Sequence, residues 1–412
     1  LGSDVVALSG SGSFTDRNVG ANKTVSLSMG LTGADARNYA LLTNNLSANV
    51  GQITQLASVE YIGANGSSWS NAGNWAGGAL PDQNNVARVV ISAGKTVVYD
   101  SDQVGITGSA IANNGTIQFA SVNPFNLTNA VSGNGALEQR GSGMLTISGN
   151  NTLSGVVDIA NYSLTLANAN ALGTGKVVSN GGVLAVANGT TLSGLTVDGA
   201  VTLNSVVNSV GDQTYNGALT FLSSGSATVT SSNGSVVTPA LPNFNSSMGN
   251  ISFMSTVSAG ANSKNAQRSF VVSAANGTVL INDQVGQDVF VNRAISSQTI
   301  NFAGYNAHAV TPYDLDIQAQ KINLFGDITT SNTQQYRGAV QIGGNGVNGH
   351  TRLLLSMDPS IKFTGSVDDV VVGQDTLMLR AITLTNSVIP TISVGDVGLS
   401  KALASLDVRV GL

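Results

Sequence analysis

Apolar residues recur at alternate positions through most of the chain, and Gly, Asn, Ser or Asp interrupts them about every 5 to 12 residues. That period suits half-buried strands, whose side chains alternate between two faces, and the interruptions suit tight turns. Stretches with a helical period are almost absent. The predicted strands are short, as in Val89 to Ile91, Thr96 to Tyr99, Leu145 to Ile147, Leu164 to Leu166, Val183 to Val186, Val201 to Leu203 and Leu353 to Leu355. Strands of three to five residues do not stand as isolated hairpins, so they have to stack on one another.

An internal repeat chooses between a sandwich and a stack of coils. Val201 to Phe221 (VTLNSVVNSVGDQTYNGALTF) aligns without a gap on Ile322 to Ile342 (INLFGDITTSNTQQYRGAVQI) at an offset of 121 residues, the step from Tyr215 to Tyr336. Gln213, Gly217 and Ala218 then meet Gln334, Gly338 and Ala339. Further on, Ile251-Ser-Phe253 echoes Ile361-Lys-Phe363, and Thr278 to Gly286 echoes Thr391 to Gly398 with one residue fewer. The order of elements is kept, and insertions such as Ser223 to Met248 are expected as loops leaving one corner. Divided into coils of roughly 20 to 24 residues, such a unit makes five or six turns of a parallel β-helix.

Composition fits that reading. With charged residues at 9% and 49 Gly in 412 residues, the chain is far from the globular average of roughly 25% charged and about 7% Gly. In stacked coils each outward residue lies one strand spacing from its counterpart, so like charges would repel, while Asn, Ser and Thr can form ladders and Gly can serve the bends. The 42% hydrophobic content excludes a disordered, charge-solvated chain. A net charge of −5 leaves no basic footprint for nucleic acid or an anionic membrane surface. No apolar run approaches the roughly 18 residues of a spanning helix. Residue 1 lies in a polar, Ser/Gly-rich stretch and not in a signal peptide, so a mature fragment is expected. The complete lack of Cys removes disulfides and suits passage through an export pore as an unfolded chain.

Three groups of residues carry resemblances to known families. Val5 to Phe14 (VVALSGSGSF), Asp16-Arg-Asn-Val-Gly20, Leu31 to Tyr39 (LTGADARNY) and Ala48-Asn-Val50 resemble the second half of the YDG domain of large bacterial surface adhesins. The family's opening strands and its Tyr-Asp-Gly signature are missing, which implies an incomplete domain with an unpaired edge. Tyr61 to Trp69 (YIGANGSSW), Asn74-Trp75 and Pro81 to Val86 resemble a module that opens filamentous-haemagglutinin-like β-helices. Gly141 to Gly155 with Ala171 to Gly175 is similar to the autotransporter-associated β-strand repeat, and the 121-residue units are similar to repeats of adhesins exported by two-partner secretion. These resemblances imply an extracellular, fibrous protein that meets an outer-membrane transporter during export. They transfer no catalytic residue.

Parallel β-helices also host polysaccharide-degrading enzymes, whose sites need flanking carboxylates or a metal cluster. The closest acid pairs are Asp314 with Asp316, Asp100 with Asp102 and Asp368 with Asp369, each read first as a corner or a solvated face. His308 and His350 stand in Gly/Asn-rich contexts without a second His at ligand spacing. No catalytic, cofactor-binding or metal-ligating set is therefore expected. Trp69 and Trp75 are candidates for stacking on sugar rings, weighed against a cap over the first coils, and Tyr305 with Tyr313 is a second candidate ligand surface. Thr rows suggested by Ser163-Leu-Thr-Leu166 and Ile382-Thr-Leu-Thr385 raise ice binding, but the Thr spacing does not persist at one coil length.

The expected fold is therefore all-β, a right-handed parallel β-helix preceded by a small partial β domain. Its parts are a YDG-like piece (1–57), an opening module (58–130), autotransporter-repeat coils (131–200) and two long repeat units (201–412). About 15 to 17 coils would give a rod of roughly 70 to 80 Å. The terminal stretch Ala402 to Val410 reads as a coil strand that continues. The expected function is that of an adhesin or biofilm-matrix scaffold binding matrix polysaccharide or other cell-surface molecules. The alternative is a filament subunit that self-associates by strand complementation.

Overall fold

The computed structural model describes residues 3–82, 84–100, 109–221, 243–255, 257–259, 269–281, 292–302, 314–325, 327–330, 333–343, 351–356, 360–382 and 389–411. The fold is all-β, a parallel β-solenoid headed by a small antiparallel domain.

The N-terminal domain is a three-stranded antiparallel sheet in the order β1 (Ala7–Phe14), β2 (Gly20–Thr32), β3 (Asn45–Ile53). Its register sorts the side chains by kind. Leu8 meets Leu31, Phe14 meets Val25, and Leu27 lies between Gly12 and Leu46, so these share one face. Ser9, Ser11, Ser13, Ser26, Ser28 and Ser47 alternate with them and occupy the other. Glycine on β1 leaves room for the large residues of β2, since a Cβ on Gly12 would come within 2.9 Å of Leu27 Cδ2. The β1–β2 turn is tied to the solenoid: Arg17 pairs with Asp82 at 3.2 Å, and the Val19 N–H donates to Asn85 Oδ1 at 3.0 Å.

Beyond a parallel bridge between Leu56 and Val86, the pairing becomes parallel throughout the described residues of the solenoid, apart from one antiparallel bridge joining Tyr61 to Trp75. One column of paired residues can be followed rung by rung. It runs Val97, Ile117, Leu137, Val157, Val177, Val197, Tyr215, Phe253, Ile281, Phe302, Leu324, Ile342 and Asp369, each paired with the next. Neighbouring members are 20 residues apart as far as Val197, yet 38 residues separate Tyr215 from Phe253 without loss of register. The burial of the short strands alternates accordingly, with Val, Ile and Leu inside.

At one corner glycines form a column. A Cβ on Gly135 would lie 2.2 Å from the carbonyl oxygen of Gly115, one on Gly155 2.0 Å from that of Gly135, and one on Gly175 2.3 Å from that of Gly155. Only a residue without a side chain lets successive backbones approach this closely. Charges on the outer faces pair between rungs, Arg140 with Asp158 at 2.6 Å and Lys176 with Asp198 at 2.5 Å, and Arg140 also reaches Glu138 of its own rung at 3.4 Å. The Lys176 ammonium and then Asn216 hold the Asp198 carboxyl below its ordinary pKa.

The strands that echo each other in sequence make the same contacts. In one unit Gln213 pairs with Ile251, which pairs with Val279; in the other Gln334 pairs with Ile361, which pairs with Ile392. The Tyr215 hydroxyl donates to Gln213 Oε1 at 3.2 Å, and that of Tyr336 to Gln334 Oε1 at 2.8 Å. Each tyrosine stacks on the phenylalanine of the next rung, Phe253 at 5.4 Å and Phe363 at 4.9 Å between ring centroids. Burial raises the pKa of both phenols, as expected for hydroxyls sealed inside a core.

Candidate functional site

The two tryptophans are placed by a short irregular segment over the first coils. Asn71 Oδ1 accepts from the Gly73 N–H at 2.9 Å, which nucleates the one-turn helix Ala72–Asn74 and delivers Trp75 to the interior. There Trp75 Nε1 donates to the Trp69 carbonyl at 2.9 Å, and the two indoles meet edge to face at 4.5 Å. Tyr61 packs on Trp75 at 5.4 Å, and its hydroxyl donates to the carbonyls of Ala64 and Ser67. Trp69 and Trp75 are 1% and 0% exposed, so neither presents a ring face to a sugar. This corrects the ligand-surface expectation for Trp69 and Trp75: the indoles close the end of the apolar interior, above the Tyr99, Phe119 and Phe125 cluster. Tyr305 and Tyr313, with His308 and His350, lie outside the described residues.

The acid pairs are engaged elsewhere. Asp316 is ion-paired with Arg337, whose Nε donates to Oδ1 at 3.0 Å, while the side chain of Asp314 lies outside the described residues. Asp100 accepts from the Ser68 hydroxyl at 2.7 Å, and Asp102 lies outside the described residues. Asp368 and Asp369 are both buried, but they serve different turns. Asp369 accepts from the backbone N–H groups of Val371, Gln374 and Asp375 at 3.0, 2.9 and 2.8 Å. Asp368 accepts from those of Ser400 and Lys401 at 2.9 and 3.2 Å. Burial pushes the Asp368 carboxyl up, yet the amides of Ser400 and Lys401 together with the Ser366 side chain more than offset it and leave its pKa below the ordinary value. A carboxylate so held is a turn anchor and a poor proton donor.

Among the described residues no group of three or more His, Asp or Glu is placed to hold a metal ion. No helix among them is long and apolar enough to cross a membrane. Thr165 lies beside Thr146 but next to Ala185 on its other side, which interrupts that threonine row. Thr383 to Thr385 of the second Thr pair lie outside the described residues.

Two surfaces that sequence reasoning missed stand out by their exposed apolar side chains. The first is the apolar face of the N-terminal sheet, where Leu8, Phe14 and Leu46 are 63%, 44% and 49% exposed. A shallow groove on it is lined by Met29, Leu31, Ala36, Arg37, Tyr39 and Leu41. The alternation of Leu and Ser in β1 to β3 was the available signal, but it does not say what covers the apolar side.

Residues 1–67 match the YDG domain. The match takes in all of β1, β2 and β3 and reaches past Tyr61 into the cap, so the YDG domain and the first coil share a seam at Leu56 and Val86. Comparisons with curated proteins and with solved structures return no match. No family of adhesins, two-partner secretion or autotransporter repeats is therefore brought in by them. The second missed surface is on the last described rung, where Leu406, Val408 and Val410 of the strand Ser405–Gly411 are 40%, 45% and 50% exposed.

Proposed function

We propose that the chain is a rod segment of a large secreted bacterial adhesin or biofilm-matrix scaffold, working outside the cell and without catalysis. The observation that carries this reading is a YDG domain, a type found in some adhesin-like proteins, joined directly to a parallel β-solenoid. The two belong together mechanically: continuous backbone ladders make a stiff support, and a domain at its end is held away from the base. Matrix polysaccharide or other cell-surface molecules are the partners this role calls for, with an outer-membrane transporter during export. Weak contacts repeated along many such segments give firm attachment through avidity.

A glycan array on the full chain, read beside its binding to intact cells, tests the reading. Binding without loss of polymer mass supports it, whereas steady depolymerisation of a bound polysaccharide would replace it with an enzyme. The second reading, a filament subunit completed by a neighbour's strand, is favoured by the exposed apolar face of β1 to β3. Electron micrographs of the purified chain that show only separate rods would rule it out.

A further inference from the structure

We propose that the turn at Asn188 and Gly189 is a site of spontaneous covalent modification, where the asparagine becomes an aspartyl or isoaspartyl residue. Among the described residues, glycine follows asparagine at Asn65, Asn114, Asn134, Asn180, Asn188, Asn216 and Asn276. Asn233, Asn345 and Asn348, also followed by glycine, lie outside the described residues. At such a step the glycine nitrogen can attack the asparagine Cγ, because glycine has no side chain to screen that nitrogen and the widest choice of backbone angles. Both groups have to be free to move, so a hydrogen bond held by the glycine N–H or by the carboxamide must break first.

Six of these seven steps are restrained. Asn65 donates to the Gly94 carbonyl at 2.9 Å and accepts from the Thr96 N–H at 3.0 Å, while the Gly66 N–H donates to the Thr96 carbonyl at 2.9 Å. The Gly135 N–H donates to the Asn113 carbonyl at 2.9 Å, and that of Gly181 to the Ala200 carbonyl at 2.8 Å. At the other three the carboxamide is held. Asn114 Oδ1 accepts from the Asn134 N–H at 3.4 Å, Asn216 Nδ2 donates to Asp198 Oδ1 at 2.6 Å, and Asn276 Nδ2 donates to the Ser247 carbonyl at 2.9 Å. At the seventh step neither the Asn188 carboxamide nor the Gly189 N–H has a hydrogen-bond partner among the described residues. Both residues are exposed, and a Cβ added to Gly189, whose φ is 79°, would meet nothing within 4 Å. The Thr190 N–H closes the turn on the Ala187 carbonyl at 3.0 Å without using either group.

Formation of the bond from the Gly189 nitrogen to the Asn188 Cγ expels the side-chain nitrogen, which leaves as ammonia with the proton that the glycine nitrogen gives up. One water then opens the cyclic imide. Cleavage at the side-chain carbonyl gives an aspartyl residue, and cleavage at the main-chain carbonyl gives an isoaspartyl residue whose chain runs through Cγ. No electrons are exchanged, and water is the only co-reactant. The product adds one negative charge to a chain of net charge −5. It does so at a corner, between the strands Gly182–Val186 and Thr191–Leu192. Leu184 pairs with Leu203 and Leu192 with Ser209, and these partners set the register whatever the corner holds. The modified chain therefore carries new charge on an unchanged support.

The test holds the full chain folded in mildly alkaline buffer and maps its peptides by mass spectrometry over time. Conversion reads as a gain of about 1 Da and as two product peptides of equal mass. Asn188 should convert at least about tenfold faster than each of the other six, which react only after local opening. In concentrated urea, where the restraints are gone, the seven rates should converge. Asn188→Asp, which supplies the charge directly, should keep the parent's circular dichroism and urea midpoint. Conversion at any of the six restrained asparagines as fast as at Asn188, an equal lead for Asn188 in urea and in the folded chain, or a lowered midpoint for Asn188→Asp would overturn the proposal.

Discussion

The first and the last described coils have the same backbone architecture and differ in what covers them. At the first coils Tyr61, Trp69 and Trp75 fold over the interior and bury themselves completely, with an indole N–H satisfied by a neighbouring carbonyl. At the last described coil Leu406, Val408 and Val410 continue the columns of Leu377, Leu379 and Ala381 and are about half exposed. The difference shows that a rung is stabilised by its two neighbours more than by its own sequence: similar aliphatic residues are core in one coil and half exposed in another.

That contrast can be broken by experiment. Trp75→Ala should cost about 3 to 5 kcal/mol, because it removes a fully buried indole and opens a cavity. Val408→Ala on the last described rung should cost less than about 1 kcal/mol, since its side chain is only partly buried. Urea unfolding of the full chain, with hydrogen exchange to localise the change, checks both, and equal losses would abolish the distinction between a covered and a partly exposed rung. Next in size, Gly135→Ala should cost about 1 to 3 kcal/mol by forcing two coils apart, while Gly411→Ala, where an added Cβ meets nothing within 4 Å, should be close to neutral.

Smaller again, Tyr215→Phe and Tyr336→Phe should each cost about 1 kcal/mol by removing the hydroxyl that donates to Gln213 or Gln334. Similar values at the two sites would show that the echoed units are equivalent in energy as well as in contacts. The smallest effect is one of pH. The folded-state pKa of Asp368 lies below its ordinary value, so its contribution is full above the usual carboxylate range and fades as pH falls through the folded value. Exchange protection at the Ser400 and Lys401 amides should therefore decline only under acid conditions, and Asp368→Asn should flatten that dependence.

How much of this was legible in the sequence depended on whether the cause was local. Alternation in segments such as Thr96 to Tyr99 shows the inward positions directly, and the offset between Tyr215 and Tyr336 led to strands that make matching contacts. A coil of roughly 20 to 24 residues held from Val97 to Val197 but not throughout, because register is set by the strand partners and leaves corner length free, as the step from Tyr215 to Phe253 shows. Trp69 and Trp75 were ambiguous for a related reason. A scarce aromatic has the same signature on a sugar-binding face as under a cap, and only the turn at Asn71 decides which way the ring points. The apolar side of β1 to β3 was visible as a pattern, whereas its exposure depends on neighbours that no local pattern specifies.

The column from Val97 to Asp369 also has a consequence for how such a protein can change over time. Its length is counted in rungs, roughly 60 Å for those traced here at ~4.8 Å each, and is indifferent to how many residues a corner holds. A gene can therefore gain or lose sequence at a corner while the reach of the molecule stays fixed. Removing one whole coil shortens it by a single step. Decoration and distance are thus inherited separately, and new surface chemistry can be tried without redesigning the support.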